Sequence, residues 1–93
     1  MIISFKSKEL EIIWNGIKSK KIPTDIQERV RRKLRMLNNS HELKDLLIPP
    51  SNMLKNLKRN RKGQYSIRIN DQWRLCFNFE NGNCYNVEIV DYH

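Results

Sequence analysis

The chemistry-bearing side chains gather in the C-terminal half of the chain. Lys55, Lys58, Arg59, Arg61 and Lys62 form a basic cluster, Arg68 and Arg74 follow on an alternating stretch, and the sequence closes on Asp91, Tyr92 and His93. This set suits metal-free cleavage of RNA, in which the ribose 2′-OH attacks the neighbouring phosphate. That reaction needs a base near the 2′-oxygen, cations around the crowded phosphorane and an acid at the departing 5′-oxygen. Arginine brings a planar fork that grips phosphate at two points. Tyrosine stacks on a base or contacts the phosphate. Histidine, with an unperturbed pKa of about 6.5, gives or takes a proton. The sequence holds no Gly-rich phosphate loop, no metal-binding helix motif and no Asp/Glu cluster of the two-metal nuclease kind. Neither Cys76 nor Cys84 stands at a recognisable spacing from His41 or His93, so a Cys–His nucleophile has no support. Composition alone also permits blander readings: arginines pointing into water, a frayed terminus, or a basic module that grips RNA or DNA phosphates without cutting.

The elements that must position these residues are strands. Residues 64–69, 73–80 and 84–90 alternate apolar with polar, the period of a half-buried strand, and 70–72 and 81–83 interrupt the pattern. The expected arrangement is an antiparallel meander. A loop over 70–72 pairs Ile69 with Trp73 and Ile67 with Leu75, and a loop over 81–83 pairs Phe79 with Tyr85, Phe77 with Val87 and Leu75 with Ile89. A two-residue turn at Asn81 and Gly82 would oppose Phe79 to Cys84 and Phe77 to Asn86, mixing apolar with polar. In the chosen register Arg68 faces Arg74, Tyr92 faces Gln72 and Asp91 faces Trp73. Adjacent guanidiniums repel unless something anionic lies between them.

Upstream, Ile2, Ile3 and Phe5 suggest a short first strand. Ser7 is placed as an N-cap; Leu10, Ile13, Trp14 and Ile17 follow helical spacing, and Asn15 and Gly16 mark the helix end. Thr24 and Gln27 have capping-box spacing and open a second helix with a buried stripe of Ile26, Val30, Leu34 and Leu37. Its outer face carries Arg29, Arg31, Arg32 and Arg35, a solvated face that also adds electrostatic attraction to RNA. Asn38, Asn39 and Ser40 end it, and a turn at Leu43, Leu46 and Leu47 precedes Pro49 and Pro50. Residues 53–58 enter the sheet as a further strand, and because Leu54 and Leu57 do not alternate cleanly a bulge or an edge position is expected there. The order β-α-α-β-β-β-β predicts one α+β domain over 1–93, two helices packed on one face of an antiparallel sheet.

Ninety-three residues suffice for a modest core. Eighteen Lys and Arg against ten Asp and Glu give a net charge of +8, which points to an anionic partner, above all nucleic acid. There is no membrane-length apolar run and no signal-peptide pattern at Met1. The two cysteines fall on opposite faces in this register, and are read as reduced thiols of a cytoplasmic protein.

The segment GQYSIRINDQWRLCF at 63–77, the terminal VEIVDYH at 87–93 and PPSN at 49–52 closely resemble the HigB-type (host-inhibition-of-growth) toxins of the RelE superfamily. The resemblance runs over nearly the whole chain. It implies a RelE-like fold and a type II toxin that cuts messenger RNA in the ribosomal A site. It also implies a helix-turn-helix antitoxin that neutralises the toxin, with operator DNA reached only through that complex. No cofactor and no membrane are implied. Carried over by position, the site comprises Lys58, Gln72, Arg74, Asp91, Tyr92 and His93, all but Gln72 in catalytic roles. Lys55, Arg59, Arg61, Lys62 and Arg68 join Gln72 as RNA-binding residues. Some members carry a histidine in a segment resembling LHPLK; here it reads LKNLK, and Lys55 leaves no imidazole there. Met53 and Arg59 also depart from close relatives.

Overall fold

Apolar residues at helical spacing build two helices, and the alternating stretches build one sheet against them. The computed structural model describes residues 1–57 and 63–91. Helix α1 is Lys8–Trp14 and α2 is Thr24–Asn39, followed by 3₁₀ turns at Leu43–Leu47 and Pro50–Asn52. The strands β1 (Lys55–Leu57), β2 (Gln64–Arg68), β3 (Trp73–Glu80) and β4 (Asn83–Asp91) form a four-stranded antiparallel sheet in sequential order. One core cluster joins Leu10 and Ile13 of α1 and Ile26, Val30, Leu34 and Leu37 of α2 to Ile67, Ile69, Leu75, Phe77, Cys84 and Val87. Each large apolar side chain among them, fully buried, contributes about 1.5–3 kcal/mol. Among the described residues no helix is long and apolar enough to cross a membrane.

The helix ends differ from expectation in their chemistry. Ser7 occupies the N-cap of α1 with extended backbone, yet its side chain makes no cap bond. Pro23, not Thr24, is the N-cap of α2. Gln27 does not reach back to a cap. It is buried, accepts from Ser19 N at 3.1 Å, and donates to Ser19 O at 2.8 Å and Ile22 O at 2.7 Å. The connection between the helices thus has its polar backbone satisfied from inside α2, as a buried amide requires.

The first extended segment is two isolated bridges parallel to β4, Ile2 to Cys84 and Phe5 to Val87, rather than a continuous strand. Its interruption matches an irregularity in β4. There the expected register is corrected. Asn81 and Gly82, at φ 51 and 78, make the two-residue turn that polarity had argued against. Glu80 pairs with Asn83, Phe79 with Cys84 and Asn78 with Tyr85. A bulge then places Asn86 and Val87 against Phe77, with Asn86 at φ 53, after which Leu75 pairs with Ile89 as expected. Two facts remove the polar mismatch. Cys84 is apolar enough to lie fully buried in the core, and the bulge turns Asn86 outward, where its N–H donates to Ser4 Oγ at 2.9 Å. Gly82 is further required because a Cβ there would stand 2.9 Å from the His41 carbonyl oxygen.

Candidate functional site

The face of the sheet away from the helices is read from the register. Lys55, Ser66, Cys76 and Glu88 form one row across the strands, and Arg68, Arg74 and Val90 form the next. Arg68 and Arg74 are Cα partners, as expected. Their guanidiniums diverge, however, so no intervening anion is needed to relieve them. Arg68 turns to an ion pair with the exposed Asp71. Arg74 lies back across β2: Nε donates to Ser66 Oγ at 2.9 Å, and Nη2 donates to Met53 O at 2.6 Å and Ser66 O at 3.3 Å. Arg74 is not on an open surface; it is only 6% exposed.

The carbonyl of Met53 is itself held in place. Met53 adopts a left-handed backbone at φ 45, and its N–H donates to Pro50 O at 3.0 Å. The residue before it, Asn52, is fully buried and serves three segments. Its Nδ2 donates to Leu46 O at 3.1 Å and Ile48 O at 3.4 Å, while its Oδ1 accepts from the Lys33 ammonium of α2. Burial first, then the charges of Arg32, Arg29 and Arg68, push the Lys33 pKa below its ordinary value. A connected path therefore runs from α2 through Lys33, Asn52 and Met53 to Arg74.

At the far end of the β2–β3 hairpin, Asn70 Oδ1 accepts from Gln72 N at 2.9 Å and Trp73 N at 2.8 Å, folding the NDQ loop on itself. This presents Gln72, whose Nε2 donates to Asp91 Oδ2 at 3.1 Å. Asp91 pairs with Trp73, as expected.

Of the residues expected at the site, Arg74 and Arg68 share a row, Lys55 is exposed beside Ser66 on the neighbouring row, and Gln72 meets Asp91. Lys58, Arg59, Arg61, Lys62, Tyr92 and His93 lie outside the described residues. Sequence reasoning missed Ser66, Asn52 and Lys33 as supports. For Lys33 there was a signal: it sits three residues after Val30 and four before Leu37, on the flank of the buried stripe. For Ser66, a small hydroxyl in an alternating strand, there was none.

A family model described as RelE-like toxin of type II toxin-antitoxin system HigB matches residues 3–93. A Vibrio cholerae protein named Toxin HigB-1 is 40% identical over 83 residues, covering 88% of this chain and 87% of its own length. A Proteus vulgaris protein named Endoribonuclease HigB is 31% identical over 93 residues, covering all of both chains. Two solved structures share the fold. Escherichia coli YafQ aligns with a TM-score of 0.64 at 16% identity, over 98% of this chain and 91% of its own. A chain of the Staphylococcus aureus YoeB–YefM toxin–antitoxin heterotetramer aligns with a TM-score of 0.60 at 20% identity, over 100% and 95%.

Proposed function

The chain belongs to the RelE-like HigB toxin family of type II toxin–antitoxin systems, and from that premise we propose how this endoribonuclease toxin cuts messenger RNA. Cleavage takes place on the ribosome and needs no divalent ion in the chemical step. The 2′-oxygen attacks the adjacent phosphorus and gives up its proton. The O2′–P bond forms as the P–O5′ bond breaks, and the 5′-oxygen leaves with a proton. The products are a 2′,3′-cyclic phosphate and a 5′-hydroxyl.

The observation that supports this reading is the immobilised guanidinium of Arg74. Ser66 and the Met53 carbonyl orient it before any substrate arrives. A donor fixed in advance, in a place shielded from water, stabilises developing charge on the phosphorane without reorganising. In this reading Lys58 and Arg68 assist Arg74. Tyr92 orients the nucleotide or shares in proton transfer, and Asp91 and His93 complete the proton network, with Gln72 holding the Asp91 carboxylate. Lys55, Arg59, Arg61 and Lys62 bind the strand. The partners are a helix-turn-helix antitoxin, the message and the ribosome, with operator DNA met only through the antitoxin complex. The site of action is the cytoplasm.

Cleavage of a defined message, measured with and without ribosomes, tests the reading. The expected result is ribosome-dependent cutting that leaves 5′-hydroxyl ends. Products with 5′-phosphate ends would overturn the mechanism.

A further inference from the structure

A cavity of about 410 Å³ lies between α2, the 49–51 segment and the end of β2. Among the described residues strand β1 pairs with Gln64–Ser66, and the cavity sits past that pairing, beside Arg68 and Ile69. Four cations among the described residues line it, Arg29, Arg32, Lys33 and Arg68, the last paired with Asp71, and no carboxylate among them is part of the lining. Among the described residues none of Arg29, Arg32 and Lys33 has an acidic partner; Arg29 is placed by a bond from Nη1 to Ile69 O at 3.3 Å. Lys33 is 9% exposed and donates to the neutral Asn52 side chain. Like charges gathered around a buried ammonium raise the folded state's energy, and an anion in their midst relieves it. The rest of the lining is Met36, Pro49, Ser51 and Ile69, mostly apolar and interleaved with the cations.

We propose that this cavity binds a phosphodiester group of RNA. Guanidinium forks match paired phosphate oxygens, and the apolar residues among the lining suit the adjoining ribose or base better than they suit an acidic peptide side chain. Two links tie the cavity to Arg74: Arg68 of its lining is the strand partner of Arg74, and the 50–53 turn, which contributes Ser51 to the lining, supplies the carbonyl that holds Arg74. The inference rests on the reading that this chain cuts RNA at that site. The message strand and ribosomal RNA present the same group, and the test separates them.

The variants are Arg29→Gln/Arg32→Gln and, on the same helix but outside the cavity, Arg35→Gln, each checked by thermal melting. The probes are a 2′-O-methyl RNA oligonucleotide, which this chemistry cannot cut, and ribosomal subunits without message. Inorganic phosphate is titrated against the side-chain resonances of Arg29, Arg32 and Lys33 in the parent. The double variant is expected to lose about tenfold or more in affinity for one of the two RNAs, with a salt slope shallower by about 0.7 for each phosphate no longer neutralised. Loss for the oligonucleotide assigns the site to the message; loss for the subunit assigns it to ribosomal RNA. Unchanged affinity for both, or an equal loss in Arg35→Gln, overturns the proposal. So does a loss confined to antitoxin affinity, which would make this a carboxylate site. Cleavage by the parent on the same preparation is scored separately: failure to cut sinks the cleavage reading and leaves the binding result standing.

Discussion

Ser66 and Arg74 meet side chain to side chain between neighbouring strands, with the Ser66 hydroxyl accepting from Arg74 Nε at 2.9 Å and both residues buried. Losing that oxygen leaves a buried charged donor short of a partner, at about 1–3 kcal/mol of stability. Ser66→Ala is therefore expected to stay folded by denaturant titration and to cut about tenfold or more slowly. The loss should fall in kcat rather than KM, because the guanidinium is present but misaimed. Arg74→Ala is expected to lose about a hundredfold or more. A Ser66→Ala protein that cuts at the parental rate would show that Ser66 has no orienting role.

Asn52 ties Lys33 to the carbonyls of Leu46 and Ile48, and each of those groups is buried or partly buried. Asn52→Ala should lower stability by about 3 kcal/mol, since it strands one ammonium and two carbonyls. Adding Lys33→Met should recover part of that loss by removing the stranded charge, a coupling that a double-mutant cycle in urea would read. Strict additivity of the two substitutions would contradict a direct link.

Removal of residues 91–93 is expected to abolish cleavage and spare the fold. Ile89 already pairs with Leu75, and Asp91 is an exposed residue whose bond to Gln72 is exposed too. Asp91, the described residue removed by the deletion, is exposed and lies outside the core, and the melting temperature is expected to move by no more than about 5 °C. Unfolding of the truncated chain would make the terminus structural. A folded chain that still cuts would free it of any catalytic duty.

Burial pushes the Cys84 thiol up to about 11 from an ordinary 9.0. Between those values the folded state holds a proton that the unfolded state has released. Stability contributed by this group is therefore complete below pH about 9 and falls as pH rises toward 11, by about 1.4 kcal/mol per unit. Lys33 acts in the opposite sense, since its lowered pKa lets the folded state shed an unfavourable charge before the unfolded chain does. Comparing Cys84→Val with the parent isolates the thiol: the variant should lose less stability than the parent between pH 9 and 11. Parallel curves would mean that the thiol does not titrate with unfolding.

Much of the β2–β3 hairpin was legible because its signals agree. Alternation, a loop of suitable length and matched apolar faces all select Ile67 opposite Leu75 and Arg68 opposite Arg74. At the next hairpin the signals conflict. The Asn–Gly turn argues for one register and the polarity of Asn86 for another. The chain resolves the conflict with a bulge, which adds one residue to β4 and satisfies both. Alternation cannot reveal a bulge when the extra residue is the one that breaks the pattern.

The candidate site divides in the same way. Residue types and spacing were enough to predict an α+β chain and a basic surface suited to an anionic partner, because charge and period are local properties, while Arg74 entered the proposed site through the family resemblance. Where the Arg74 side chain goes was decided only by tertiary structure. Its length and charge suggested a solvated face, but Ser66 and the carbonyl of Met53, from separate segments, offer acceptors that draw it into a buried position. Lys33 likewise reads as one more cation on a basic helix until the 49–53 segment folds over it and supplies Asn52. Burial and hydrogen-bond partnership depend on segments distant in the chain meeting in space, and no local pattern encodes which ones will meet.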